Sequence, residues 1–293
     1  MIRTINAGLN WLILLTPRWR SVLLLIPALY LIGWIKAKTL TLFGLPVETV
    51  SLVGTLFSFL MFVLLMPRWV RLRWHRSKPW QTLGLKEGAS SRSSSCASLL
   101  RGLLWAGLLL TLLVVPLVLD HWASWEWQGS WPLVVDALLL LFGVGLAEEL
   151  VFRGWLWEEL NQLLGAKAGV ISQAAIFSLV HTRFNMGVWP MLGLLSGLFL
   201  LGLVLALRRR LDHGSLWGCV GLHGGLISGW FLLEKNALQL SADAPAWLIG
   251  PGGNNPNPLG GLVAIGALTL LLWLQRTAFS KSLFTTTGHR NAS

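Results

Sequence analysis

Residues 133–153 read Leu-Val-Val-Asp-Ala-Leu-Leu-Leu-Leu-Phe-Gly-Val-Gly-Leu-Ala-Glu-Glu-Leu-Val-Phe-Arg, an apolar run that closes on three ionisable side chains, Glu148, Glu149 and Arg153. Before them the only formal charge is Asp136. Charge that deep in a hydrophobic stretch is expensive, and it marks a pathway, a relay or a reaction site. Glu149 and Arg153 are four residues apart with the acid N-terminal, the favourable order for an ion pair on a helix. Glu148 points about 100° away around the same axis, so that arginine serves it poorly. One carboxylate is offset and its neighbour is left as a working group, the kind of poorly solvated carboxylate that a general base requires. The bland alternative is a helix leaving the membrane near residue 148, with Trp155 and Trp157 as interfacial residues.

The rest of the chain supports a membrane setting. Of 293 residues, 54% are hydrophobic and 12% charged, where soluble domains carry about 25% charged residues. Mean hydropathy is +0.65. Taking about 20 apolar residues per span, the chain reads as an all-α polytopic membrane protein of about eight transmembrane helices. These are Ser21–Ile35, Thr49–Met66, Leu100–Leu119, Leu133–Phe152, Ala168–His181, Trp189–Leu207, Leu216–Leu233 and Leu259–Leu274. With alternating sides, 17 of the 23 Lys and Arg fall in one set of loops and 4 in the other. That asymmetry orients both termini to the cytoplasm, in a bacterial plasma membrane or an organellar equivalent. Trp34, Trp69, Trp122, Trp131, Trp189 and Trp217 stand near span ends, as interfacial anchors do.

The net charge of +11 resides in those loops, which argues against a nucleic-acid partner. Two cysteines, Cys96 and Cys219, make neither a disulfide framework nor a metal cluster. Residues 1–20 read as a short interfacial helix rather than a cleaved signal, because Thr16-Pro17-Arg18 interrupts a brief apolar core. The serine-rich stretch Ser90–Ser95 reads as a polar cytoplasmic loop, and the Gly/Pro/Asn run 250–258 as a turn-rich lead into the last span. The expected organisation is N-terminal helices and basic loop over 1–132, a catalytic membrane core over 133–275, and a cytoplasmic tail over 276–293.

Two histidines bring the acidic pair into focus. Glu148 lies seventeen residues before Gly165 and His181 sixteen after it. In an antiparallel hairpin turning at Gly165 the two sit at the same height. His181 shares a face with Phe177, four residues earlier. His223 follows in a glycine-rich segment, Gly218 to Gly225, suited to close helix packing. It lies about two turns in from the Arg208–Arg210 side, a depth comparable with Glu148 and His181. One carboxylate and two imidazoles from three helices can therefore meet within the bilayer. Intramembrane Glu and His also suit an ion-coupled transporter, but no repeat relates the two halves.

The motifs Glu148-Glu149-xxx-Arg153, Phe177-xxx-His181 and a third led by His223 resemble those of the CPBP family, the CAAX prenyl protease type 2 and bacteriocin-processing membrane proteases, also called Abi. The resemblance covers roughly residues 133–275 and agrees in order, spacing and residue type. It implies an intramembrane polar cavity and hydrolysis of a peptide bond in a membrane-embedded substrate, prenylated or a small peptide. Carried onto this chain, Glu148 is the base that activates water, helped by His181. Glu149 and Arg153 hold the motif, Phe177 packs beside it, and His223 polarises the scissile carbonyl or binds a metal. The family's third motif commonly reads His-xxx-Asn, and this chain has Ile227 at the fourth position, with Ser228 one residue on. That departure removes one donor, worth about a hundredfold in rate where such a donor serves an oxyanion. It keeps alive a non-proteolytic scaffold, immunity or maturation factor of the same fold. Glu148, His181 and His223 also match the ligand types of a catalytic zinc, although no His-Glu-xx-His pair is present. Zinc and a metal-free glutamate mechanism both remain open at this point.

Overall fold

The structure, a computed structural model, describes residues 10, 13–14, 16–87, 94–253 and 256–275. The interfacial helix expected over 1–20 therefore lies largely outside the described residues, as do most of the serine-rich loop and the tail 276–293. The chain forms two compact units, Met1–Leu83 and Gly84–Ser293.

The first unit is a helical hairpin of α1 (Arg18–Leu40) and α2 (Val50–Arg73), followed by the short α3 (Pro79–Thr82). Its two long helices meet at Gly33 and Gly54, where a Cβ on Gly54 would stand 3.1 Å from the Trp34 Cα. Arg73 is buried in this unit and donates to the carbonyls of Ile13 and Thr16 at 2.7 and 2.8 Å.

The second unit contains α4 (Ser95–Leu119), a rod running from Trp131 to Leu164, and the helices α8 (Ala166–Leu179), α9 (Val188–Leu211), α10 (Trp217–Leu232) and α12 (Leu262–Leu274). Within the rod, α5 (Trp131–Leu139), α6 (Gly145–Glu149) and α7 (Trp157–Leu164) are joined by π-helical turns at Leu140–Val144 and Leu150–Leu156. Such wide turns are rare and gather at functional sites; here they bracket the acidic pair. Apolar periodicity alone places a single span ending at Phe152. The observed rod runs on to Gly165, whose φ of +84° turns the chain into α8. At the other end of α8, helix stops at Leu179, so His181 lies in the following turn rather than inside the helix. A third π turn, Leu233–Ala237, ends α10.

One element departs from a purely helical fold. β1 (Ala123–Trp125) pairs antiparallel with β2 (Leu238–Leu240), and α11 (Ala246–Ile249) follows. The ribbon ties the loop after α4 to the end of α10.

Among the described residues, four helical stretches, Arg18–Phe43, Val47–Arg73, Ser95–Leu119 and Val188–Leu211, are long and apolar enough to cross a membrane, and α8 and α12 are shorter apolar helices. Their side chains sort as in a lipid-facing bundle. On α4 the small residues Ser98, Gly102 and Ala106 are buried at a four-residue spacing, while Leu100, Leu104 and Leu108 are exposed. Large apolar side chains turned outward over whole helices have no water-soluble rationale. The protein is an integral membrane protein.

Its interior is assembled by close approach. A Cβ on Gly102 would lie 2.6 Å from the Leu222 nitrogen, so α4 and α10 touch through backbone. A Cβ on Gly145 would stand 2.8 Å from the Gly224 Cα, and one on Gly224 would meet the Leu141 carbonyl at 2.5 Å. Between spans such contacts replace the hydrophobic drive that lipid removes. Around them Phe177, Leu194, Leu201, Leu205, Leu222 and Leu268 form the main core cluster. At the Arg208–Arg210 end, the buried carboxylate of Asp212 accepts from Arg101 and Arg208, both at 2.7 Å, and so links α4 to α9.

Gly145 and Gly224 permit no side chain. Gly224→Val should destabilise the protein by about 3 kcal/mol, read as a lowered melting temperature in detergent, whereas Gly107→Ala, which faces open space, should leave it unchanged.

Candidate active site

The contact of α6 with α10 sets one carboxylate deep in the protein. Glu149 and Arg153 are fully buried and paired at 2.8 Å, the i,i+4 bond that their spacing predicts. The same Glu149 Oε1 lies 2.8 Å from His223 Nδ1. A carboxylate accepts, so that ring nitrogen is the donor and His223 turns Nε2 the other way. Arg153 is held from two further directions. Its guanidinium stacks 4.0 Å over the Phe177 ring, and its backbone carbonyl receives a hydrogen bond from Arg209. Phe177 is the hub of an aromatic cluster, edge-on to Phe152, His181 and His223 at 5.1, 4.9 and 5.4 Å between centroids.

Glu148, one residue earlier, faces a different direction. Its side chain is 27% exposed, and Oε2 stands 3.6 Å from His181 Nε2 and 3.9 Å from His223 Nε2. Those separations are too long for direct hydrogen bonds, and Glu148 Oε2 has no hydrogen-bond partner. His181 Nδ1 is 2.7 Å from the Phe177 carbonyl, which can only accept, so this ring also carries its proton on Nδ1. Both imidazoles thus turn Nε2 toward one carboxylate oxygen.

The structure therefore brings all six residues singled out by the sequence into one cluster: Glu148, His181 and His223 face one another, with Glu149, Arg153 and Phe177 packed against them. Two features were not read from the sequence. Glu149 holds His223 as well as Arg153, a contact between residues 74 apart that no local spacing announces. Arg209 reaches the Arg153 carbonyl from α9, and its place in a basic run hid it.

In kind, the donor set fits zinc: two imidazoles with Nδ1 anchored by a carbonyl or carboxylate, and one carboxylate. Among the described residues, no group of three or more His, Cys, Asp or Glu is set as a metal-holding cluster.

A cavity of about 250 Å³ adjoins His223, with Leu109, Leu226, Ile227 and Leu268 among its walls and Arg183 and Asn257 among its polar residues. Ile227, at the position where the third motif commonly has Asn, thus faces this space. Ser228 is buried.

Residues 129–227 match the family described as type II CAAX prenyl endopeptidase Rce1-like. That match supports a membrane protease of this family through the segment it covers. All six cluster residues fall within the matched segment. Residues 2–78 match a domain of unknown function, DUF8676. No curated protein and no solved structure matches the chain.

The cluster separates a structural carboxylate from a free one. Glu149→Ala should destabilise the protein by about 3 kcal/mol, because it strands a buried Arg153. Glu148→Gln should leave stability within about 0.5 kcal/mol of the parent. Unfolding in a mixed-micelle denaturant titration compares the two.

Proposed function

We propose that this protein is an intramembrane endopeptidase that uses Glu148 as general base on water, cutting a peptide bond in a membrane-embedded substrate. The observation that carries the reading is the convergence of His181 Nε2 and His223 Nε2 on Glu148 Oε2, at 3.6 and 3.9 Å, above a buried Glu149–Arg153 pair. In the proposed reaction the O–H bond of water breaks and its proton passes to Glu148. The hydroxide oxygen bonds to the scissile carbonyl carbon. Nε2 of His223, when protonated, donates to the oxyanion, and Glu149 fixes that ring through Nδ1. His181, fixed through the Phe177 carbonyl, orients the water. Glu148 then returns its proton to the amide nitrogen as the C–N bond breaks.

Glu148, His181 and His223 would also hold a zinc ion, which when bound supplies Lewis acidity toward the carbonyl and a more acidic water. The eight-span topology with cytoplasmic termini in a plasma-type membrane belongs to the same proposal, supported by the loop distribution of Lys and Arg. So does the assignment of residues 133–275 as the catalytic core, preceded by N-terminal helices over 1–132 and followed by a tail over 276–293. The partners are a membrane-embedded peptide, prenylated or small, and the bilayer.

A quenched fluorogenic peptide library tests the reading on purified protein in detergent. Glu148→Gln, His181→Ala and His223→Ala should each lose about a hundredfold or more in kcat/KM with unchanged melting. Equal cleavage by the parent and Glu148→Gln would overturn it. Metal analysis of the same samples, with and without a chelator, decides between zinc-assisted and metal-free water activation.

A further inference from the structure

The cavity beside His223 is an apolar chamber with few polar side chains, and chambers of that kind use such groups to fix a ligand's orientation. Among its lining residues, the polar side chains are Arg183, His223, Trp230 and Asn257. His223 belongs to the cluster already described. Trp230 spends its ring N–H on the Pro256 carbonyl at 3.2 Å. Arg183 is exposed. Asn257 is half-buried and held from three sides. Its backbone N–H donates to the Pro251 carbonyl at 2.9 Å, its carbonyl accepts from Gly260 at 3.0 Å, and its side chain faces the Leu259 N–H at 3.1 Å. A backbone N–H can only donate, so the atom facing Leu259 is Oδ1. Nδ2 and its two hydrogens are then left over, and among the described residues they donate to none.

A carboxamide with an unspent N–H, in the wall of an apolar cavity that His223 also lines, suits an acceptor brought in by the ligand. An extended peptide offers a carbonyl about every 3.3 Å, and one entering an apolar chamber unpaired forfeits its hydrogen bonds to water. We propose that Asn257 binds a backbone carbonyl of the substrate segment that occupies this chamber, and so positions the peptide against His223. The proposal rests on the endopeptidase reading and adds a substrate-binding residue outside the three motifs. Asn257 lies in the strap before α12, on a different segment from Ile227.

Asn257→Asp tests it, because the carboxylate keeps an oxygen for the Leu259 N–H while it loses the donor and adds a negative charge that repels a carbonyl oxygen. With a fluorogenic apolar peptide that the parent protein cleaves, Asn257→Asp should raise KM about tenfold, with kcat within twofold and melting unchanged. Peptides with one carbonyl at a time reduced to methylene locate the partner. At one position the parent should lose about tenfold and Asn257→Asp nothing further. Binding of the same peptide to Glu148→Gln, compared with Glu148→Gln/Asn257→Asp, reads the contact without turnover. Failure of catalysis would then count against the base and not against Asn257. A parent-like KM in Asn257→Asp, or equal losses in both proteins for every reduced peptide, would overturn the proposal.

Discussion

The structure of the second unit turns on one buried carboxylate. Glu149 is removed from solvent with a charged arginine and a histidine on the same oxygen. Burying an ion pair costs several kcal/mol per ion before attraction and hydrogen bonds offset it, so nothing around Glu149 is free to drift. Arg153 must stay within reach, which the i,i+4 spacing secures. His223 must come from another helix, and the bare backbones of Gly145 and Gly224 let α6 and α10 close to the needed distance. Phe177 then covers the guanidinium from α8. Three elements are fixed by what one side chain demands.

That constraint gives two adjacent glutamates opposite surroundings. A step of one residue turns Glu148 away from the arginine and toward the Nε2 atoms of His181 and His223. Neighbouring carboxylates in different surroundings are a recurring way to separate structural from chemical work. His223 joins the two halves, with one nitrogen on the structural carboxylate and the other facing the free one. Removing Glu149 would thus disturb chemistry through His223 as well as stability through Arg153.

Much of this was legible in the sequence, for identifiable reasons. The Glu149–Arg153 bond follows from helical spacing, and the meeting of Glu148 with His181 from their equal distances to Gly165. Outward-facing leucines follow from hydropathy. Other features leave no local trace. The π turns at Leu140–Val144 and Leu150–Leu156 change the hydrogen-bond register without changing the apolar pattern, so the sequence reads as one ordinary span. His181 reads as helical because its neighbours are apolar, yet the helix stops two residues earlier. The Glu149–His223 bond and the β1–β2 ribbon join residues more than seventy apart. Asn257 sits in a run that reads only as turn-forming, and its relation to His223 emerges once the chain has folded.

The central claim is that water, oriented at Glu148, attacks the peptide directly. Hydrolysis in ¹⁸O-labelled water under single-turnover conditions tests this most directly, with mass spectrometry of both product and protein. The account predicts one ¹⁸O in the newly formed product carboxylate and none in the peptide that contains Glu148. Label in Glu148, or an unlabelled product carboxylate in the first turnover, would contradict it.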